Sequence, residues 1–151
     1  MIIRAGASHE RAALEDLQRR ASLMWEDYRP YLLANPDVIE LPLAQLQSGH
    51  VRVAEHDGRI AGFAALLPKH GFCELDGLFV EPAQWNQGIG RALIADALAI
   101  ARRDGAQAIE TVANPRAEGF YIRLGFAVIG QTQTQFGPAN RMRIPAFSAQ
   151  T

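Results

Sequence analysis

The run from Val80 to Ile94, VEPAQWNQGIGRALI, constrains this chain more than any other. An apolar strand end passes through Pro82 into a short polar loop, then Gly88-Ile89-Gly90, and an amphipathic helix follows at once. A strand that feeds a helix through so short a loop calls for a sheet with the helix packed back onto it. The first N–H groups of such a helix have no partner within it, and glycines let an anion approach the backbone. Two phosphate motifs are excluded. A Walker-type loop ends in Gly-Lys-Ser/Thr, whereas Gly90 is followed by Arg91 and Ala92. The dinucleotide fingerprint wants a small residue where Leu93 stands. An ordinary strand-to-helix turn stays open at this point.

A second segment, NPRAEGFYIRLGF from Asn114 to Phe126, bears on the first. Asn114 suits an N-cap, Pro115 suits the first helical position, and Gly125 suits a helix end. Ala117, Phe120 and Leu124 share one helical face by spacing, which points Tyr121 off that face.

The rest of the chain alternates strands and helices. Met1 to Arg4 reads as a strand, and Ser8 caps a helix carrying Ala12, Ala13, Leu14, Leu17 and Ala21. Leu23 to Leu33 continues at helical spacing, interrupted at Pro30 and ended by Asn35-Pro36. Pro42 starts a turn of helix through Leu46, closed by Gly49. Val51 to Glu55 and Ile60 to Leu67 form a hairpin about Asp57-Gly58. After a turn over Pro68 to Gly71, Phe72 to Val80 is the next strand. A helix from Gly90 to Arg103, closed by Gly105, leads to a buried strand over Ala108 to Val112. Two last strands, Val128 to Gln135 and Asn140 to Ile144, flank Gly137-Pro138. The pattern predicts an α/β class: a mixed sheet with helices on both faces, and parallel, right-handed strand–helix–strand units around Gly90 and Asn114. A ligand crevice is expected where two neighbouring strands each feed a helix.

Together the two segments resemble the GNAT superfamily of acetyl-CoA-dependent N-acetyltransferases. The family's glycine motif, Gln/Arg-x-x-Gly-x-Gly/Ala after Val-x-Pro, is matched at Val80-Glu81-Pro82 and Gly88-Ile89-Gly90. Its second pattern is matched at Asn114, Ala117, Phe120, Tyr121, Gly125 and Phe126. Trp85 stands at the Gln/Arg position, and Asn86 replaces a common glycine. The resemblance covers most of the chain from about Val51. It implies the GNAT acyl-CoA N-acyltransferase fold, a mostly antiparallel sheet with one splayed parallel pair, as a single domain over residues 1–151.

The resemblance also implies a cosubstrate and its site. Acetyl-CoA would lay its pantetheine beside the strand end at Leu78, Phe79 and Val80. Its pyrophosphate would sit over Trp85, Asn86, Gln87, Gly88, Ile89, Gly90 and Arg91, with Asn114 and Tyr121 as further contacts. The implied reaction is direct attack by a primary amine in a ternary complex. Deprotonating a lysine-type amine at neutral pH costs about 4–5 kcal/mol, so a general base is useful. Glu74 and Asp76 lie two apart on one side of their strand. Glu74 has the spacing of the glutamate base in the family's histone-acetyltransferase branch, and Asp76 is second because it lies closer to the crevice end. Both could instead be ordinary solvent-facing acids. Tyr121 matches the family's general acid toward the departing thiolate. Trp25, Tyr28 and Tyr31 lie where variable helices of the family cover the acceptor, though an aromatic stripe is also good core.

Composition fits a compact enzyme: 151 residues, 48% hydrophobic, 21% charged. A formal net charge of −1 argues against a nucleic acid or anionic membrane held by charge alone. The single cysteine, Cys73, allows no internal disulfide, and His9, His50, His56 and His70 lack ligand spacing, so no metal is expected. No stretch reaches the ~18 apolar residues of a membrane span and the first residues lack a signal-peptide core, so a cytoplasmic protein is expected. The expected partner is a small-molecule or peptide amine, with a homodimer through the last strands. The reading from another class is a CoA-binding sensor that has lost catalysis.

Overall fold

Asp57 and Gly58 adopt φ of 53° and 75°, the backbone that a two-residue hairpin demands. They join β2 (Val51–His56) to β3 (Arg59–Pro68) in antiparallel register from Val51↔Ala65 to His56↔Arg59, with an irregularity at Ala54/Glu55. β1 (Ile2–Ala5) pairs antiparallel on the far side of β2. The remaining strands are β4 (Cys73–Val80), β5 (Ala108–Ala113), β6 (Ala127–Thr134) and β7 (Gly137–Pro145). In this computed structural model, which describes residues 1–147, the seven strands follow the order β1-β2-β3-β4-β5-β7-β6. The helices are α1 (Arg11–Leu23), α2 (Arg29–Ala34), α3 (Leu43–Gln47), α4 (Ile89–Arg103) and α5 (Glu118–Arg123). The fold class is the mixed α/β one expected, with a single parallel pair, β4 and β5, among the described residues.

The chain divides into two compact units. The first comprises Met1–Leu66 and Gly77–Asp96. Leu14 and Leu17 of α1 bury against Val51, Val53, Phe63 and Ala65 of β2 and β3. A Cβ on Gly62 would meet the Phe79 carbonyl at 2.8 Å and Ile89 and Leu93 of α4 at 3.3 Å. Adjacent strand residues point to opposite faces, so Phe63 carries α1 and Gly62 carries α4. That double cover explains why β3 is buried from Ala61 to Leu66 without alternation. Truncating Phe63 would cost about 3–5 kcal/mol.

The second unit comprises Leu67–Asp76 and Ala97–Thr151. β5 pairs parallel with the start of β4 at Cys73↔Ile109 and Glu74↔Glu110, and antiparallel with β7 along its whole length. The end of α4 is closed by Gly105 at φ 76°, with Ala106 N donating to Ala101 O at 2.9 Å and Gly105 N to Arg102 O at 3.1 Å.

Four local expectations are corrected. Ser8 is not a helix cap: it opens a 3-10 turn capped by Ala7, whose N–H donates to the Glu10 carboxylate at 2.8 Å. Pro30 opens α2 rather than interrupting a longer helix, because proline fits a first turn where its missing N–H is harmless. Gly137-Pro138 begin β7, and the reversal before them is closed by Thr134, whose hydroxyl donates to Gly137 O at 2.7 Å. The strands around Asn114, β5 and β6, run the same way but are not neighbours, since β7 lies between them and opposes both.

Candidate active site

The glycine loop belongs to the first unit. β4 ends at Val80, a 3-10 turn covers Pro82–Gln84, and α4 begins at Ile89. Between them Asn86 has φ 65° and Gly88 φ 81°. Asparagine is the side-chain-bearing residue that tolerates this region best, which is why it can stand where a glycine is common. Gly88 O accepts from Ala92 N at 3.0 Å, so Gly88 is the half-in residue at the helix start. The amides that follow it are turned toward the loop with no partner in the helix.

Three contacts hold the loop from outside. Arg20 of α1 forks onto Glu81 at 2.9 and 2.7 Å. Glu81 N donates to Ala61 O at 2.8 Å. Trp85 donates its indole N–H to Val80 O at 2.8 Å, and its ring lies 5.9 Å from that of Trp25, tilted by 30°. Trp25 is thus joined to the loop, while Tyr28 and Tyr31 are half-buried in and beside α2. Leu78 and Val80 are half-buried, whereas the Phe79 ring packs on Phe63 at 5.3 Å and over Gly77, leaving its backbone for any ligand. Asn86, Gln87 and Arg91 are exposed, and Ile89 is buried.

The second unit holds a cluster of acids and bases around one cavity. A cavity of about 480 Å³ is walled by Leu67 and Phe72 and lined by Lys69, Glu74, Asp76, Glu110 and Arg141. Glu74 and Glu110 are register partners on the parallel pair, so two carboxylates lie side by side. Arginines on β7 offset them: Arg141 donates to Glu74 at 3.2 Å and Glu110 at 3.4 Å, and Arg143 to Glu110 at 2.5 Å. Asp76 is exposed and has no ion pair among the described residues. Sequence reasoning missed Glu110 and Arg141. The signal was a single acid inside the apolar strand AIETVA, facing a strand with arginines two apart.

Tyr121 does not point off the packed face of its helix, as the spacing predicts. It is 8% exposed and the buried residue of α5, with edge-on contacts to Phe120 at 5.2 Å and Phe126 at 5.1 Å. Phe120 is only half-buried. The helical phase counted from Ala117 fails because Pro115–Ala117 is a 3-10 turn, with fewer residues per turn. Burial pushes the Tyr121 hydroxyl up to about 12, and the Thr111 side chain offsets part of that rise. The group therefore keeps its proton at neutral pH. Asn114 caps the turn, its Oδ1 accepting from Arg116 N at 2.9 Å, while its Nδ2 is buried without a partner among the described residues.

The chain matches the family described as "Acetyltransferase (GNAT) family" over residues 12–126. It is 34% identical over 91 residues to the 5-NmdU N-acetyltransferase of Pseudomonas phage PaMx11, covering 59% of this chain and 65% of that protein. It is 35% identical over 83 residues to the peptidyl-lysine N-acetyltransferase YjaB of Salmonella typhimurium, covering 55% and 52%. The chain thus spans less than two thirds of the length of these curated relatives. In fold it is similar to the paiA N-acetyltransferase from Thermoplasma acidophilum in complex with coenzyme A, with TM-score 0.77, 21% identity and coverage of 95% and 98%. With the family match running over most of its length, the chain belongs to the GNAT acetyltransferase family.

Proposed function

We propose that this protein transfers an acetyl group from acetyl-CoA to a primary amine. The observation that carries the reading is the match to the acetyltransferase family over residues 12–126, within which Tyr121 is a buried hydroxyl.

The residues present fit acetyl-CoA. Asn114 offers a buried Nδ2 without a partner among the described residues, and an unpaired buried donor is costly without a ligand. The loop Trp85 to Arg91 offers backbone donors at a helix start, where an anion is favoured. Bound there, acetyl-CoA supplies the activated acyl group. Peptidyl-lysine is named as the substrate class of one relative, and a lysine-type amine suits a cavity lined by three carboxylates and two cations.

Asp76 takes the amine's proton, directly or through water, and the freed lone pair attacks the acetyl carbonyl. We place Asp76 ahead of Glu74 because Arg141 already occupies one oxygen of Glu74. Tyr121 gives its proton to the sulfur as the C–S bond breaks. The edge strand β6, exposed along most of its length, is where a homodimer would pair.

The test is release of free thiol from acetyl-CoA with a panel of a lysine peptide, a polyamine, an aminoglycoside and free amino acids. Amine-dependent thiol release is the expected result. Saturable CoA binding with no thiol released from any amine would replace the enzyme by a sensor.

A further inference from the structure

Two glutamates and two arginines satisfy most of one another's charge beside the parallel pair. Glu110 has both oxygens taken, Oε1 by Arg141 at 3.4 Å and Oε2 by Arg143 at 2.5 Å. Arg141 Nη1 also donates to Glu74 Oε2 at 3.2 Å, so a single nitrogen serves both acids. The Nε–Nη2 edge of that guanidinium has no acceptor among the described residues, and the side chain is 34% exposed. Such an edge can grip a carboxylate through two parallel bonds. Lys69 lies on the turn between β3 and β4, which its N–H closes by donating to Phe72 O at 2.9 Å. Its ammonium is exposed and has no ion pair among the described residues.

The acceptors left over are Glu74 Oε1 and both oxygens of Asp76. The cavity these groups share, of about 480 Å³, therefore holds uncommitted cations and uncommitted anions together. Its size is that of a small-molecule site, ~300–1,000 Å³. Its formal charge is balanced: Glu74, Asp76 and Glu110 stand against Lys69, Arg141 and Arg143, the last paired to Glu110 from outside the lining. A polycation gains little from such a site, because each added ammonium meets cations as well as acids. A molecule with one positive and one negative pole answers both sets at once.

We propose that the acceptor is a free α-amino acid with an apolar side chain. This narrows the primary amine of the preceding section and rests on that reading. The carboxylate takes the Nε–Nη2 edge of Arg141 and the Lys69 ammonium, the α-amine goes to Asp76 and Glu74 Oε1, and the side chain lies on Leu67 and Phe72. The α-ammonium gives one proton to Asp76 and a second to solvent as the N–C bond forms. The C–S bond breaks with its electron pair on sulfur, which takes the Tyr121 proton, and exchange with solvent restores both side chains. A lysine side chain within a peptide carries no carboxylate beside its amine and leaves Arg141 and Lys69 unanswered.

The experiment compares leucine and phenylalanine with their carboxamides, and with the lysine peptide and the polyamine, by steady-state thiol release from acetyl-CoA. The carboxamide keeps the amine and the side chain and loses only the negative pole. Its amine is the less basic of the two, so ease of deprotonation favours the carboxamide and cannot produce a preference for the acid. The free amino acid should lead by roughly ten- to a hundredfold in kcat/KM, the effect of hydrogen bonds to a charged group. Lys69→Gln should cut that preference about tenfold, through KM for the amino acid, with KM for acetyl-CoA unchanged. Equal rates for acid and carboxamide, or faster turnover of the lysine peptide or the polyamine, would overturn the amino-acid site and leave acetyl transfer in place. An acid preference untouched by Lys69→Gln would put the carboxylate elsewhere and overturn the site as drawn. Thiol release with none of the amines would overturn the transferase reading as well.

Discussion

The indole N–H of Trp85 donates to the carbonyl of Val80 at 2.8 Å, closing the glycine loop back onto the end of the strand that feeds it. Trp25 packs its ring at 30° to that indole with centroids 5.9 Å apart, and these are the only two tryptophans of the chain. Intrinsic tryptophan emission therefore reports on this loop alone. CoA should change it saturably, and Trp85→Phe should both remove most of the change and weaken CoA binding about fivefold, the worth of one lost hydrogen bond. A fluorescence titration that stays flat in the wild type would move the anion site elsewhere.

Gly88 tests the backbone of the same loop. Its φ is 81°, and a Cβ built there meets nothing within 4 Å, so substitution acts through backbone strain rather than collision. Gly88→Ala should cost about 1–2 kcal/mol of stability, Gly88→Asn less, and Asn86→Gly nothing. Urea denaturation midpoints of the three variants check the order. If Gly88→Ala is as stable as the wild type, the left-handed turn is not what the loop requires.

Much of this was legible in the residues because local chemistry dictates it. Asp57-Gly58 and Gly105 state their turns, and the glycine loop with the Asn114 segment announces the family. What escaped was set by pairing across distance. Glu110 looks like one residue of a buried strand until register places it beside Glu74 and opposite Arg143. Residue spacing puts Tyr121 on the wrong side because a 3-10 turn shifts the phase of a helix too short to show its own period. Trp85, a departure from the family pattern, takes its meaning from its hydrogen bond to Val80, which spacing alone does not show.

The two acids on β4 differ in what they have free. Glu74 is held by Arg141 at 3.2 Å, whereas Asp76 is exposed with neither oxygen engaged among the described residues. Asp76→Asn should lower kcat roughly a hundredfold, in the range of a lost general base, and Glu74→Gln should cost less. Steady-state kinetics with one amine decide it. A larger loss in Glu74→Gln than in Asp76→Asn would reverse the assignment.

Glu10 gives a prediction about folding in acid. Arg4 grips its carboxylate at 2.8 and 2.7 Å, and the Ala7 N–H adds a third bond at 2.8 Å. The Arg4 hydrogen bonds outweigh desolvation and hold the group down to about 2, against an ordinary 4.5. A carboxyl lowered in the folded state contributes its stability above the unfolded value and loses it as the pH falls through the folded one. The window is therefore from about pH 4.5 down to about 2. Glu10→Gln keeps an oxygen for Ala7 but removes the charge. Because the pair is only partly buried and still screened by solvent, the loss at pH 7 should be about 1 kcal/mol. Denaturation midpoints measured at stepped pH should then show the wild type and Glu10→Gln converging as the pH drops through that window. Parallel curves down to pH 2 would mean that Arg4 does not single out the charge on Glu10.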